Sequence, residues 1–278
     1  MQRLAVLQMT AGIDPAANAA TLVQAVGGAA MAGATMLFTP EMSTMIDRDR
    51  ARAAPHVVAE ADSAVLAALR DAAARAGIWV ALGSMAVLRE DGRWANRSLV
   101  IDGSGAIVAR YDKIHMFDVD LASGESWRES STYAPGEGAV TVDTPLGKLG
   151  LTVCYDLRFP ALFEALGQAA CDLIAIPAAF TVPTGTAHWH VLQRARAIEA
   201  TAYVVCAAQG GQHEDGRKTY GHSLVIDPWG DVLLDMGGAA VGLAFAEIDP
   251  ARIAAVRGQV PCLANKRAIG GARRDDRL

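Results

Sequence analysis

Cysteine is scarce in this chain: Cys154, Cys171, Cys206 and Cys262 are four among 278 residues. Four thiols so scattered make no disulfide framework, and no pair has the spacing of a zinc site, so reduced thiols of a cytoplasmic protein are expected. Positive charge is also short, with 25 Lys and Arg against 30 Asp and Glu for a net charge of −5. That balance disfavours nucleic acid or an anionic membrane as the main partner, because phosphate binding needs a basic face. Long apolar runs are missing too. Residues 15–40 carry no charge, but Asn18, Thr21, Gln24 and three glycines dilute the stretch and alanine dominates it. That composition suits a buried amphipathic helix followed by a strand better than a membrane span. The opening apolar run is broken by Gln8 and Asp14 and reads as a first strand, not a signal peptide. With 52% hydrophobic residues, the chain is read as soluble and large enough for one extensive core.

Strand and helix patterns alternate from the start. Leu4–Gln8 is a strand, Asp14-Pro15 opens a helix, and Thr35–Phe38 is a strand before Pro40. Ser63–Ala76 places Val65, Leu66, Leu69, Ala73 and Ala76 on one helical stripe that Gly77 ends. Strands follow at Ile78–Leu88, Arg93–Ile101 and Ala106–Arg110, separated by Asp91-Gly92 and Gly103-Ser104-Gly105 turns. Residues 111–138 have no apolar period and form the longest irregular segment, a length often tied to function. A hairpin through Thr144-Pro145-Leu146-Gly147 leads into Leu149–Val153, then come a helix at Pro160–Ala170 and a strand at Leu173–Ile176. A helix at Ala187–Ala200 precedes strands at Tyr203–Ala208, Ser223–Asp227 and Gly242–Ile248, with Asp227-Pro228-Trp229-Gly230 as a turn. The expectation is a single α/β domain over residues 1–266, its mixed sheets covered by helices, and a polar tail over 267–278 that frays or packs on a partner.

Cys154 closes an apolar strand and precedes Tyr155-Asp156-Leu157-Arg158-Phe159-Pro160 at the opening of a helix. A thiol there faces a helix N-terminus, whose dipole favours thiolate. The bland alternative is a small core hydrophobe, the reading given to Cys206. A nucleophilic cysteine needs a base, and His115, His188, His190 and His222 are candidates for a Cys–His pair. His188 and His190 point to opposite helix faces, and no further spacing supports a metal. Two charged residues also sit at strand ends: Glu41 after Leu37-Phe38-Thr39-Pro40, and Lys113 in Arg110-Tyr111-Asp112-Lys113-Ile114-His115. Taken singly each suits a solvated cap. With Cys154 they make a chemically complete set, in which a carboxylate of raised pKa accepts the thiol proton and an ammonium holds an oxyanion.

Three blocks in this order resemble the nitrilase, or carbon–nitrogen hydrolase, superfamily: Phe38-Thr39-Pro40-Glu41, Tyr111-Asp112-Lys113-Ile114-His115 and Gly150-Leu151-Thr152-Val153-Cys154-Tyr155-Asp156-Leu157-Arg158-Phe159-Pro160. The resemblance implies an αββα four-layer sandwich of two mixed sheets flanked by helices, a Glu-Lys-Cys site and a homodimer that joins helical faces. No metal is expected from the spacing, and no cofactor, because every proton and charge of the implied reaction has a protein partner. It also implies a second glutamate in the long loop, matched by Glu129 in Arg128-Glu129-Ser130-Ser131-Thr132-Tyr133-Ala134-Pro135-Gly136, with Glu125 and Glu137 as neighbouring rivals.

Tyr155-Asp156, where true nitrilases carry Trp-Glu, points to an amide substrate. Pro177-Ala178-Ala179-Phe180-Thr181 and Thr184-Gly185-Thr186-Ala187-His188-Trp189 resemble the deaminated-glutathione amidases and their sister omega-amidases, with Thr186 replacing the usual proline, and Ala208-Gln209 and Asp227-Pro228 lean toward the former. The implied reaction is hydrolysis of a 2-oxo-acid amide through a Cys154 thioester, the alternatives being a carbamoylase, an aliphatic amidase, a redox thiol or a binding module. A substrate carboxylate calls for an arginine. Arg158 is the candidate, with an ion pair to Asp156 as its competing role. Tyr155 supplies an oxyanion N–H, while Phe180 and Thr181 line the pocket. Arg194, Arg196 and Glu199 are expected to form a structural ion-pair set, and Trp189 and Trp229 to pack in a core or interface.

Overall fold

Side chains alternate along the strand Gln2–Gln8, and that alternation sets the layering. Leu4 and Val6 enter a core shared with the second sheet, whereas Ala5 and Leu7 pack under the helices Pro15–Met31 and Ala64–Ala76. The computed structural model describes residues 1–120, 122, 124 and 126–270. Its first sheet runs in the order Gly242–Ile248, Gln2–Gln8, Met36–Phe38, Trp79–Leu88, Trp94–Ile101, Ile107–Asp112. The second runs Val232–Asp235, Leu224–Ile226, Tyr203–Cys206, Leu173–Ala175, Gly147–Leu151, Val140–Thr144. Each sheet has three central parallel strands, with one antiparallel strand on one side and an antiparallel pair on the other. Helices Pro160–Gln168 and Val182–Ala200 cover the second sheet through Phe163, Leu166, Trp189 and Ala197. The layers are therefore helix, sheet, sheet, helix, as expected from the resemblance.

Local chemistry explains the boundaries. Asp14 accepts from the Ala16 N–H with Pro15 opening the helix, Ser63 caps the next, and Gly77 ends it in the left-handed conformation. Differences from the sequence reading have equally local causes. Helix Val182–Ala200 begins five residues earlier than the expected Ala187, because Pro183 suits a first helical turn even though Thr184, Gly185 and Thr186 are weak formers. The described residues of the segment 111–138 include a ribbon pairing Asp118–Asp120 to Ser126–Arg128 and a 3₁₀ turn at Glu129–Ser131. A second ribbon pairs Gly210–Gln212 with Lys218–Tyr220, and this ribbon, the strand Val232–Asp235 and the helix Pro250–Gln259 lie beyond the sequence reading. The missed strands are three or four residues long and, unlike the buried central strands of similar length, largely lack a continuous apolar run.

One backbone contact fixes how the first sheet presents its carboxyl end. Pairing with Trp94–Ile101 shifts between Leu82 and Met85, so Gly83 and Ser84 bulge toward the loop after Met36–Phe38. Ser84 accepts from the Ser43 N–H, donates its own N–H to the Pro40 carbonyl, and receives Met42 N–H on its hydroxyl. A Cβ on Gly83 would lie 2.0 Å from the Thr39 carbonyl oxygen. Gly83→Ala must therefore move backbone rather than a side chain. We expect urea denaturation to show a loss of about 2–3 kcal/mol, and wild-type stability would show that the bulge has slack.

Candidate active site

Four elements deliver one charged cluster to the carboxyl ends of the parallel strands, where open α/β sheets commonly place ligands. Glu41 follows Met36–Phe38, Lys113 follows Ile107–Asp112, Glu129 opens the 3₁₀ turn, and Cys154 follows Gly147–Leu151. Lys113 Nζ lies 3.2 Å from Glu41 Oε1 and 2.8 Å from Glu129 Oε2. Asn96 Nδ2 donates to both carboxylates, at 2.9 Å and 3.2 Å. The second Glu41 oxygen accepts from the Ala179 N–H at 2.9 Å, and Glu129 accepts from the Phe117 N–H at 2.7 Å. Gln209 ties the Glu41 peptide down by donating to its carbonyl while accepting from the Ala11 N–H. Asn96 Oδ1 has no hydrogen-bond partner. Turning the amide over would aim that oxygen at two carboxylates, so the observed orientation is imposed by charge.

The thiol sits at a sharp elbow: Cys154 has φ 51°, and its N–H donates to Pro177 O at 2.8 Å. Such a backbone conformation in a non-glycine residue is costly and needs firm support. Asp156 supplies it. This fully buried carboxylate accepts from Val153 N–H (2.9 Å), Tyr111 Oη (2.6 Å) and the His115 backbone N–H (3.1 Å), and lies 2.7 Å from His115 Nδ1. Tyr155 occupies the second position of the turn Cys154–Arg158, where the N–H has no intrahelical acceptor.

Burial and charge set the resting protonation. Burial alone would lift the Glu41 carboxyl, but the Lys113 ammonium and hydrogen bonds from Cys154 and Asn96 outweigh it and hold the group below its ordinary range. Burial disfavours the Lys113 cation, yet Glu129 and Glu41 keep its pKa well above the usual lysine value. Burial and the Glu41 carboxylate push the Cys154 thiol well up. Two expectations are corrected here. Glu41 is not a carboxylate of raised pKa, because its cation is in contact. The turn dipole does not leave a resting thiolate, because Cys154–Arg158 is only five residues long and the nearest carboxylate opposes it.

A cavity of about 240 Å³ opens onto this cluster, lined among others by Phe117, Trp127, Tyr155, Phe180, Thr181 and Thr184. Tyr155, Phe180 and Thr181 thus lie where expected. Arg158 does not reach the lining. Its guanidinium stacks over the Tyr155 and Phe180 rings and meets His188 Nδ1 at 3.2 Å, and Asp156, its expected ion-pair partner, is saturated by other donors. The lining holds no histidine, so the Cys–His arrangement fails: His115 is taken by Asp156 and stacks on Phe159 at 3.6 Å. Glu137 is exposed and outside the cluster, and Glu125 lies outside the described residues. Lys113 occupies the centre between the two carboxylates, the position a metal ion would need. Of the expected ion-pair set, Arg196 meets Glu199 at 2.7 Å, while Arg194 donates instead to Gly230 O. Trp189 is fully buried and Trp229 is half exposed.

Sequence reasoning missed Asn96 and Gln209, neutral amides within ordinary strand surroundings. It also missed the cations at the mouth of the cavity: Arg48, Arg50, Arg128, Arg217 and Lys218. Arg217 is the most enclosed of them. It lies 4.9 Å over the Trp127 ring and 3.2 Å from Asp215 Oδ2, but neither its Nε nor that oxygen makes a directed hydrogen bond. An arginine just before a short ribbon strand carries no signal that a period could reveal.

A thiol, a carboxylate base and a buried ammonium around one apolar-walled cavity are the parts of a thiol-dependent hydrolase of carbon–nitrogen bonds. The carbon-nitrogen hydrolase family model matches residues 3–258, and the chain belongs to that family. It is 38% identical over 269 residues to the deaminated glutathione amidase of Yersinia enterocolitica, covering 96% of this chain and 93% of that one. The Homo sapiens deaminated glutathione amidase is also 38% identical, over 95% of this chain and 82% of its own. Among solved structures, Saccharomyces cerevisiae Nit3, a member of branch 10 of the nitrilase superfamily, superposes with a TM-score of 0.84 at 27% identity, covering 94% of each chain.

Removing the central cation leaves two buried carboxylates facing each other. Lys113→Met is expected to cost about 3–5 kcal/mol of stability, read from urea denaturation. A loss under about 1 kcal/mol, the range of exposed pairs, would mean that the cluster is hydrated.

Proposed function

We propose that the chain is an amidase acting on deaminated glutathione, releasing 2-oxoglutarate and cysteinylglycine through a thioester on Cys154. The observation that carries the chemistry is the shared contact of Glu41, Lys113 and Glu129 beside an uncharged thiol. Glu41 takes the thiol proton as sulfur attacks the amide carbon, so thiolate forms only as it is consumed. The oxyanion is received by Lys113 Nζ and the Tyr155 N–H. Glu41 then gives its proton to the departing nitrogen as the carbon–nitrogen bond breaks. It next takes a proton from water, which attacks the thioester, and the proton returns to sulfur as the acid leaves. Glu129 holds Lys113 in place and keeps it charged.

The substrate reading rests on the named relatives and on the mouth of the cavity. Deaminated glutathione carries a carboxylate at each end, and the mouth is rich in arginine. Arg217, incompletely bonded and braced on Trp127, replaces Arg158 as the carboxylate partner in this reading. We also propose a homodimer through the outer face of Val182–Ala200, where Val191 and Ile198 are 68% and 46% exposed with the half-exposed Trp229 nearby in the fold. A cytoplasmic location is supported by four free cysteines. Among the described residues, no helix is long and apolar enough to cross a membrane.

Cys154→Ala is expected to abolish turnover with the fold intact by circular dichroism, and residual activity above about a tenth of wild type would defeat the assignment. Glu41 works ionised and Cys154 protonated, so kcat/KM should stay flat through neutral pH. It should fall only as acid protonates Glu41, below the usual carboxylate range, because the lowered pKa of that group moves the acid limb down. For the substrate, 2-oxoglutarate release should favour deaminated glutathione over 2-oxoglutaramate in kcat/KM. Arg217→Ala should raise KM roughly 10–100-fold with kcat little changed, the loss of one charged hydrogen-bonded contact. Preference for 2-oxoglutaramate, or an unchanged KM, would overturn the carboxylate reading while leaving the Glu-Lys-Cys chemistry standing.

A further inference from the structure

Outside the cavity lining, three metal-ligating side chains converge from three elements. His190 lies on the helix Val182–Ala200, His222 precedes the strand Leu224–Ile226, and Asp235 ends the strand Val232–Asp235. One ligand atom from each lies within 4.8 Å of the others. Asp235 Oδ2 is 3.0 Å from His190 Nε2 and 3.2 Å from His222 Nδ1, which also lies 2.9 Å from Oδ1. Zinc binds imidazole nitrogen and carboxylate oxygen at roughly 2.0–2.2 Å, which places ligand atoms of a tetrahedral site about 3.3 Å apart. The carboxylate–imidazole gaps therefore need to open by only a few tenths of an ångström to admit an ion.

The surroundings hold these donors in place. Tyr220 stacks on the His222 ring at 4.4 Å, and His190 meets both rings edge-on at 6.1 Å and 5.1 Å. The His222 backbone, at φ 53°, is fixed by the Trp189 indole, which donates to its carbonyl at 2.8 Å. Asp235 Oδ1 also accepts from the Gly237 N–H at 2.9 Å, orienting the carboxylate from behind as an outer-shell bond does in metal sites. Side-chain exposures of 34%, 25% and 35% leave one side of the triangle open to water.

We propose that His190, His222 and Asp235 form a site for a divalent transition metal of the zinc class, with water as the fourth ligand, that clamps the helix Val182–Ala200 to the hairpin of the second sheet. Two imidazoles and one carboxylate suit zinc, cobalt or nickel, whereas calcium and magnesium favour sets made wholly of oxygen. On binding, each imidazole carries its proton on the ring nitrogen turned away from Asp235, and the carboxylate exchanges two hydrogen bonds for one metal bond. Trp189 also packs against Phe180 at 4.9 Å, and Phe180 lines the cavity, so the clamp steadies the wall of the active site without touching the reacting groups. Structurally the metal is a brace between a helix and a sheet. It plays no part in the hydrolysis, and the proposal stands whichever amide is cleaved.

The test is cobalt(II) titration of tag-free protein at mildly alkaline pH, where imidazole is free to ligate. One equivalent should bind with the visible bands of a four-coordinate nitrogen–oxygen site and without the near-ultraviolet charge transfer of a cysteine ligand. His190→Ala and Asp235→Asn should each weaken binding at least tenfold, while keeping wild-type amidase activity in chelator-treated buffer as proof of folding. Zinc should raise the melting temperature of the wild type and not of His190→Ala. Absence of saturable uptake would overturn the proposal and leave a hydrogen-bonded His–Asp–His network. Uptake of equal affinity in the wild type and both variants, or a cysteine charge-transfer band, would overturn it by placing the metal elsewhere.

Discussion

The ammonium of Lys113, with 2% of its side chain exposed between two carboxylates, is the interaction on which the site depends. A single buried charge is prohibitively expensive and a buried ion pair roughly breaks even, so this cluster is no reservoir of stability. What it supplies is a fixed pattern of charge. Glu41 stays ionised in an apolar recess because Lys113 is there, and Lys113 stays ionised because Glu129 adds a second negative charge. Asn96, bonded to both carboxylates, sets their spacing. An environment arranged in advance this way needs no reorganisation when charge develops on a substrate oxygen.

That arrangement is possible because the two sheets share one strand pattern and direct their parallel strands into a common cleft. Glu41 emerges from the first sheet, and Cys154 with Ala179 from the second. Backbone contacts cross between them: Ala179 N–H bonds the Glu41 carboxylate, and Gln209 bonds the Glu41 carbonyl. The Gly83 bulge admits the Thr39–Ser43 loop on one side, and Asp156 props the Cys154 elbow on the other. Packing of the sandwich and geometry of the site are thus one problem, solved by the same backbone hydrogen bonds.

The legible part of this design lies where chemistry coincides with a strong period. Glu41 and Cys154 each follow an apolar run and Lys113 lies just past a strand, which marks the three as strand-end residues. Glu129 has no such mark and emerges only through resemblance to a family, since acids in loops are ordinary. Arg158 misleads because the turn holding it is a short 3₁₀ segment, whose tighter winding carries the side chain behind Tyr155 and Phe180. Arg217, Asn96 and Gln209 act across distances of many residues in sequence, and no local pattern reports such contacts. The late strand Val232–Asp235 and helix Pro250–Gln259 escape for a related reason, being short and stabilised by what they pack against.

The raised pKa of Cys154 has a bearing on the survival of the protein in a cell. Oxidants and electrophiles attack thiolate far faster than thiol, and over-oxidation beyond the sulfenic state is not reversed by simple thiols. A nucleophile stored as a buried, protonated thiol reacts more slowly with peroxide than a thiolate would. In the proposed mechanism it becomes reactive only when a carbonyl carbon is seated within reach and Glu41 can pass the proton onward to a leaving nitrogen. The charge in that mechanism is stored on the base rather than on the nucleophile, which keeps the resting sulfur in its less oxidisable form.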